Sequence, residues 1–180
     1  MSHAATPAMR SGRFPCDDAL DARAIKATLT WGKKMSVLHE AQIWSSPASC
    51  AIATTQILGV TAQIAPALAE IDHGRWRGQR LTDIAATEPD ALAAWTIDPE
   101  MASHGGESFS AAVTRVGMWL DALDQSKTVV AVTHASIMRA AIIHALAIAP
   151  ASFSRIEITP LSVVQLRRSA KNWHWLPSYL

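Results

Sequence analysis

Two histidines stand where an imidazole could do chemistry. His134 follows Thr128-Val129-Val130-Ala131-Val132-Thr133, an unbroken run of β-branched and small apolar residues. Such a run predicts a strand buried on both faces. Ala135 to Leu146 then reads as a mostly apolar helix. His134 therefore falls where a parallel strand hands over to a helix, which is where ligands bind in open α/β sheets. Main-chain N–H groups at the helix start lack in-helix partners and favour an anion. His3 stands among small residues in Ser2-His3-Ala4-Ala5-Thr6. Either histidine alone reads equally well as a hydrogen-bonded structural residue, but the pair points to a site.

The rest of the chain supplies elements to hold such a site. Asp21 to Leu38 reads as a helix and Gln42-Ile43-Trp44-Ser45 as a short strand. Ser46-Pro47 starts a helix running to about Leu58, since proline suits a first helical turn. Gln63-Ile64-Ala65 is a weak strand, and a loop from Pro66 to Arg80 carries Glu70 with Asp72 and Gly74. Thr82 to Ala86 and Pro89 to Trp95 read as short helices, and Pro99 to Gly106 as a loop. From Ser108 to Leu123, Phe109, Ala112, Val113, Val116, Trp119, Leu120 and Leu123 form one apolar stripe. That spacing predicts an amphipathic helix. Ser162 to Leu166 and Trp173 to Leu176 form a closing hairpin across Lys171-Asn172. Alternating strands and helices imply an α/β layered domain.

Composition narrows the functions. A chain of 180 residues, 49% hydrophobic and 17% charged, suggests one globular domain over residues 1–180. Net charge is +1, which gives no electrostatic case for nucleic acid. Seven tryptophans interleave with apolar residues, as packing residues do. No apolar run approaches the roughly 20 residues that span a bilayer. Two cysteines make no disulfide framework and suit a reducing cytoplasm.

Four segments line up in order: Ser2-His3-Ala4-Ala5-Thr6, Ser45-Ser46-Pro47-Ala48-Ser49-Cys50-Ala51, Leu68 to Gly78 through Glu70 and Trp76, and Val132-Thr133-His134-Ala135. This order resembles the histidine phosphatase superfamily, the phosphoglycerate-mutase-like proteins. Gly12-Arg13-Phe14 and Gly105-Gly106-Glu107-Ser108 also look like loops of that family. The resemblance implies a three-layer α/β/α sandwich around a mostly parallel sheet. It implies a phosphomonoesterase of a small phosphorylated metabolite. His3 would accept the phosphoryl group as a phosphohistidine. Glu70 would protonate the leaving oxygen. His134 and the Ala135 N–H would hold the phosphoryl oxygens. The scheme needs no metal or other cofactor. The acid-free start, with Arg10 and Arg13, overlaps in composition with a transit peptide. The family-like loop at Gly12-Arg13-Phe14 explains it better, so a cytoplasmic location is expected.

The departures matter equally. The family arginine before the nucleophile is Ser2 here, and the arginine of the Ser-Ser-Pro helix is Cys50. A position often polar, six after the nucleophile, is Met9. Arginine forks are a preferred way to hold a phosphomonoester of roughly −1.5 to −2 charge. By analogy with a lost oxyanion donor, each missing fork could cost roughly 2.7–4 kcal/mol of barrier. Arg10 and Arg13, just after His3, are the candidate replacements. The alternative reading is a catalytically impaired relative that binds a ligand or partner. The family's first strand also appears truncated, since only Met1 and Ser2 precede His3. That predicts a poorly fixed His3, or another segment in the strand's place.

Cysteine offers one more reading. In the implied fold Cys16 and Cys50 would approach the pocket, and with His3 and His134 they could bind zinc. The competing reading is two reduced thiols that merely pack. Neither the substrate nor the oligomeric state is legible.

Overall fold

The computed structural model describes residues 1–33, 41–170 and 172–177. The parallel sheet consists of β1 (Gln42–Ser45), β2 (Gln63–Ile64) and β3 (Val129–Val132), in the order β2-β1-β3. The register of β1 on β3 runs from Gln42 opposite Val129 to Ser45 opposite Val132. A separate antiparallel hairpin pairs β4 (Gln165–Ser169) with β5 (Asn172–Leu176).

The two-residue period of the strands sorts their side chains between two layers. Trp44 and Ala131 pack with Leu120, Ile137 and Ile143 of α6 (Phe109–Asp121) and α7 (Ala135–Leu146). On the other face Ile43 and Val130 meet Trp31 and Leu58, while Val132 meets Ala51. Those partners belong to α2 (Ala22–Gly32) and to α3 (Ser49–Ile57) with its C-cap. A mostly parallel sheet flanked by helices is the expected α/β architecture. The shorter helices are α1 (Pro7–Arg10), α4 (Leu81–Thr87) and α5 (Pro89–Ile97). No described helix is long and apolar enough to cross a membrane.

Helix starts follow capping chemistry. Asp21 accepts the Ala24 N–H at 2.9 Å and Ser108 the Ala111 N–H at 3.2 Å. Helix α3 begins at Ser49, three residues later than expected from Ser46-Pro47, because Ser46 is still extended and pairs with Val132. The final strand is shifted too. Residues 162–164 are irregular, and β4 starts only at Gln165. Residues 34–38 of the first expected helix and Lys171 of the hairpin turn lie outside the described residues.

Main-chain bonds fix His3 firmly, contrary to the expectation of a poorly fixed ring. The Met1 amine donates to the Ala131 carbonyl at 2.6 Å, and the Thr133 N–H donates to Met1 at 2.9 Å. The His3 N–H then donates to Thr133 at 2.8 Å. On the other side the Ser2 N–H donates to Ser162 at 3.0 Å and Leu161 to His3 at 3.3 Å. Three residues thus act as a strand end, bonded on both edges. Beside them lies a cavity of about 590 Å³, lined by Met1, Val129, Ala131, Val163 and Leu166.

The loop carrying Glu70 is fixed by a backbone crossing. Glu107 donates to the Asp72 carbonyl at 2.8 Å and Arg75 to the His104 carbonyl at 3.0 Å. A Cβ on Gly106 would collide with the Asp72 carbonyl, and one on Gly74 with that of His104. Backbone cannot yield as a side chain can, so Gly106→Ala is expected to destabilise by roughly 1–3 kcal/mol. The melting temperature should fall by roughly 2–12 °C. An unchanged melting curve would contradict the crossing.

Candidate active site

His3 and His134 emerge together at the carboxyl end of the parallel strands. Their rings lie edge to face with centroids 4.9 Å apart, and both are buried. The Nδ1 of His3 is 2.7 Å from the Ala4 carbonyl. A carbonyl only accepts, so Nδ1 carries the proton and the Nε2 lone pair is free. Ala4 is held in turn, its N–H donating to Thr54 Oγ1 at 3.2 Å. Thr54 itself donates to the Cys50 carbonyl at 2.7 Å.

His134 is the N-cap residue of α7, with Ala135 at the first helical position. Its Nε2 lies 2.8 Å from Ser46 Oγ, and its Nδ1 lies 3.4 Å from Glu70 Oε2. The Glu70 carboxyl is one-fifth exposed. Its Oε1 accepts the Ile71 N–H at 2.9 Å and a short hydrogen bond from the Ser136 hydroxyl. The structure thus brings the two imidazoles and the carboxyl close together.

Burial pushes the His3 ring down to about 4, with His134 adding to the shift. The Ala4 hydrogen bond and the charges of Glu70 and Asp18 oppose it. Burial likewise holds His134 near 4, helped by the Arg115 charge and opposed by Asp17. Both rings are thus neutral at pH 7. A neutral His3 with its Nε2 lone pair free is a competent nucleophile.

The two candidate arginines each have partners of their own. Arg10 donates to the Ala5 carbonyl at 3.0 Å and pairs with the Asp21 carboxylate. Arg13 is exposed and donates to the Gly78 carbonyl at 2.9 Å. Among the described residues no guanidinium hydrogen-bonds either imidazole. Cys50, at the second position of α3, is buried, and burial pushes its thiol up to about 12. Cys16 is exposed, so the structure does not gather the full two-cysteine, two-histidine set. Trp76 is fully buried and donates to Glu88 at 3.1 Å, which fits packing rather than contact with substrate.

Sequence reasoning missed three positioning residues. Ser46 lies in a quoted motif, but its bond to a residue 88 positions away had no local signal. Ser136 could have been suspected from its place at the second position of the helix after His134. Asp17 accepts both the N–H and the hydroxyl of Ser49, at 2.7 and 3.0 Å, and so caps α3 from a distant loop.

A family profile described as the histidine phosphatase superfamily, branch 1, matches residues 2–177. The chain belongs to that superfamily. Phosphoserine phosphatase 1 of Hydrogenobacter thermophilus is 29% identical over 134 residues, 69% of this chain and 63% of that protein. The match thus spans less than two thirds of that relative's length. A mycobacterial glucosyl-3-phosphoglycerate phosphatase, solved with VO3, superposes with a TM-score of 0.85 at 23% identity. That superposition covers 97% of this chain and 94% of the other. Phosphoserine phosphatase of Entamoeba histolytica, in complex with 3-phosphoglyceric acid, gives 0.84 at 18% identity over 98% and 92%. At these identities the superpositions show the fold.

The two histidines make stability depend on pH. Each folded ring titrates near 4 against 6.5 for the ordinary group. The unfolded chain therefore binds more protons between those values. Stability is complete above about pH 6.5 and falls as pH drops toward 4, by on the order of 3 kcal/mol per ring. Melting temperature measured from pH 4 to 8 should show this loss, and His3→Gln with His134→Gln should blunt it. A wild-type profile that is flat below pH 6.5 would contradict two neutral buried rings.

Proposed function

We propose that the protein is a phosphomonoesterase of a small phosphorylated metabolite, working through a phosphohistidine at His3. The supporting observation is the free Nε2 of His3, fixed by the Ala4 carbonyl beside His134 and Glu70. In the first half-reaction Nε2 attacks phosphorus as the ester P–O bond breaks. The leaving oxygen takes the proton of the Glu70 acid. In the second half water attacks the phosphohistidine, and the Glu70 carboxylate takes the water's proton. Breaking the N–P bond returns its electron pair to His3 and releases phosphate.

His134 and the free N–H of Ala135 hold the phosphoryl oxygens, and the start of α7 favours their charge. The remaining positive charge comes from Arg10, which exchanges Asp21 for the substrate. Its pair with Asp21 is partly exposed, and such pairs are weak. Arg13 keeps the loop after His3 against Gly78 and adds longer-range attraction. Small phosphorylated molecules fit because one relative is a phosphoserine phosphatase and a structural neighbour is a phosphoserine phosphatase in complex with 3-phosphoglyceric acid.

A second reading follows from the engagement of Arg10 with Asp21 and from the thiol at Cys50. Without an arginine at the phosphoryl group, the domain binds a ligand or partner and turns nothing over. Hydrolysis of p-nitrophenyl phosphate separates the two. The first reading expects activity lost in His3→Ala and reduced at least tenfold in Arg10→Ala. Glu70→Gln should cost roughly 10²–10⁴-fold on an alkyl phosphate. It should cost less on p-nitrophenyl phosphate, whose phenolate leaves without a proton. No hydrolysis by the wild type, or equal hydrolysis by His3→Ala, overturns the phosphohistidine scheme. An unimpaired Arg10→Ala removes Arg10 from it.

A further inference from the structure

One donor atom each from His3, Cys50 and His134 lie within 4.8 Å of one another, and all three residues are buried. Atoms that close leave a common point within about 2.8 Å of each. Inward shifts of roughly 0.5–0.7 Å would reach zinc–nitrogen and zinc–sulfur bond lengths. The wider surroundings are already those of metal ligands. A ligating histidine usually has its other nitrogen hydrogen-bonded, which fixes the ring. Here the Ala4 carbonyl holds His3 Nδ1, and whichever His134 nitrogen faces the metal, the other has a polar neighbour, Ser46 Oγ 2.8 Å from Nε2 or Glu70 Oε2 3.4 Å from Nδ1.

The nearby charges favour a cation. Glu70 and Asp18 act on His3, Asp17 on His134, and Glu70 with Asp17 on Cys50. The one positive neighbour acting on His134, Arg115, is paired with both carboxylate oxygens of Glu107. Two imidazoles and a thiolate suit zinc, which takes nitrogen and sulfur together, and not the oxygen-seeking magnesium or calcium. Three protein ligands leave a fourth position for water.

We propose that His3, Cys50 and His134 bind one zinc-like divalent cation, and that the cation and a phosphoryl group exclude each other at His3. The cation takes the Nε2 electron pair that would attack phosphorus. The Cys50 S–H gives its proton to solvent and its sulfur pair to the metal, with no change of oxidation state. The exclusion rests on the phosphohistidine reading, whereas the site itself does not.

Cobalt(II) titrated into the full chain, stripped of metal beforehand, reports the site by its colour. One equivalent should produce tetrahedral cobalt bands and a thiolate-to-cobalt charge-transfer band, both erased by zinc. Cys50→Ser should lose the charge-transfer band, and His3→Gln should weaken binding at least tenfold. A wild type without that band overturns the site, and so does a Cys50→Ser chain that keeps it. The exclusion is read separately, by p-nitrophenyl phosphate hydrolysis during a zinc titration. Hydrolysis should fall with the midpoint of binding, and undiminished hydrolysis at saturation overturns it. Absence of hydrolysis in the metal-free chain sinks the hydrolase reading and the exclusion together. The cobalt spectrum still decides the site.

Discussion

The bond from the His3 N–H to the Thr133 carbonyl carries the geometry of the whole site. It ties the start of the chain to the end of β3, one residue before His134. Because the two segments run parallel, both imidazoles leave the sheet at the same end and meet edge to face. A single such bond contributes on the order of 1 kcal/mol net, but an unmade buried donor would cost more. Its partners on the opposite edge, Ser162 and Leu161, hold the short strand end from both sides. The geometry of the site therefore rests on main-chain bonds.

Burial sets the chemistry of what that bond positions. Two imidazoles in van der Waals reach cannot both carry charge inside the protein, and desolvation keeps both neutral. Neutral rings are nucleophiles and metal ligands alike. The choice between those roles falls to the surrounding charges. Asp17, Asp18 and Glu70 lean toward a cation, while the start of α7 leans toward a phosphoryl group. Cys50 sharpens the contrast. Where the family resemblance puts a guanidinium, this chain puts a buried thiol that brings no positive charge to an anion.

The sequence made the outline legible because strands and amphipathic helices leave local periodic marks. The run before His134 and the apolar stripe of α6 each map onto an element with nearly the expected bounds. Ordered motifs gave His3, Glu70 and His134 as companions. Less was legible where long-range pairing overrides local preference. Ser46 looked like a helix start, yet its N–H belongs to the sheet. Residues 162–164 looked like a strand, yet they are irregular, and the Ser162 carbonyl accepts from Ser2. Arg10 could be placed near His3 along the chain, but its pairing with Asp21 needed the fold. The same holds for Cys16 and Cys50, which spacing alone could not separate into an exposed and a buried thiol.

The central claim is a neutral His3 whose proton sits on Nδ1, leaving the Nε2 lone pair free. Nitrogen-15 NMR of the histidine-labelled, metal-free protein at pH 7, assigned with His3→Gln, reads this directly. The account predicts a protonated-type shift at Nδ1 and an unprotonated one at Nε2. A doubly protonated ring, or the opposite tautomer, would contradict it.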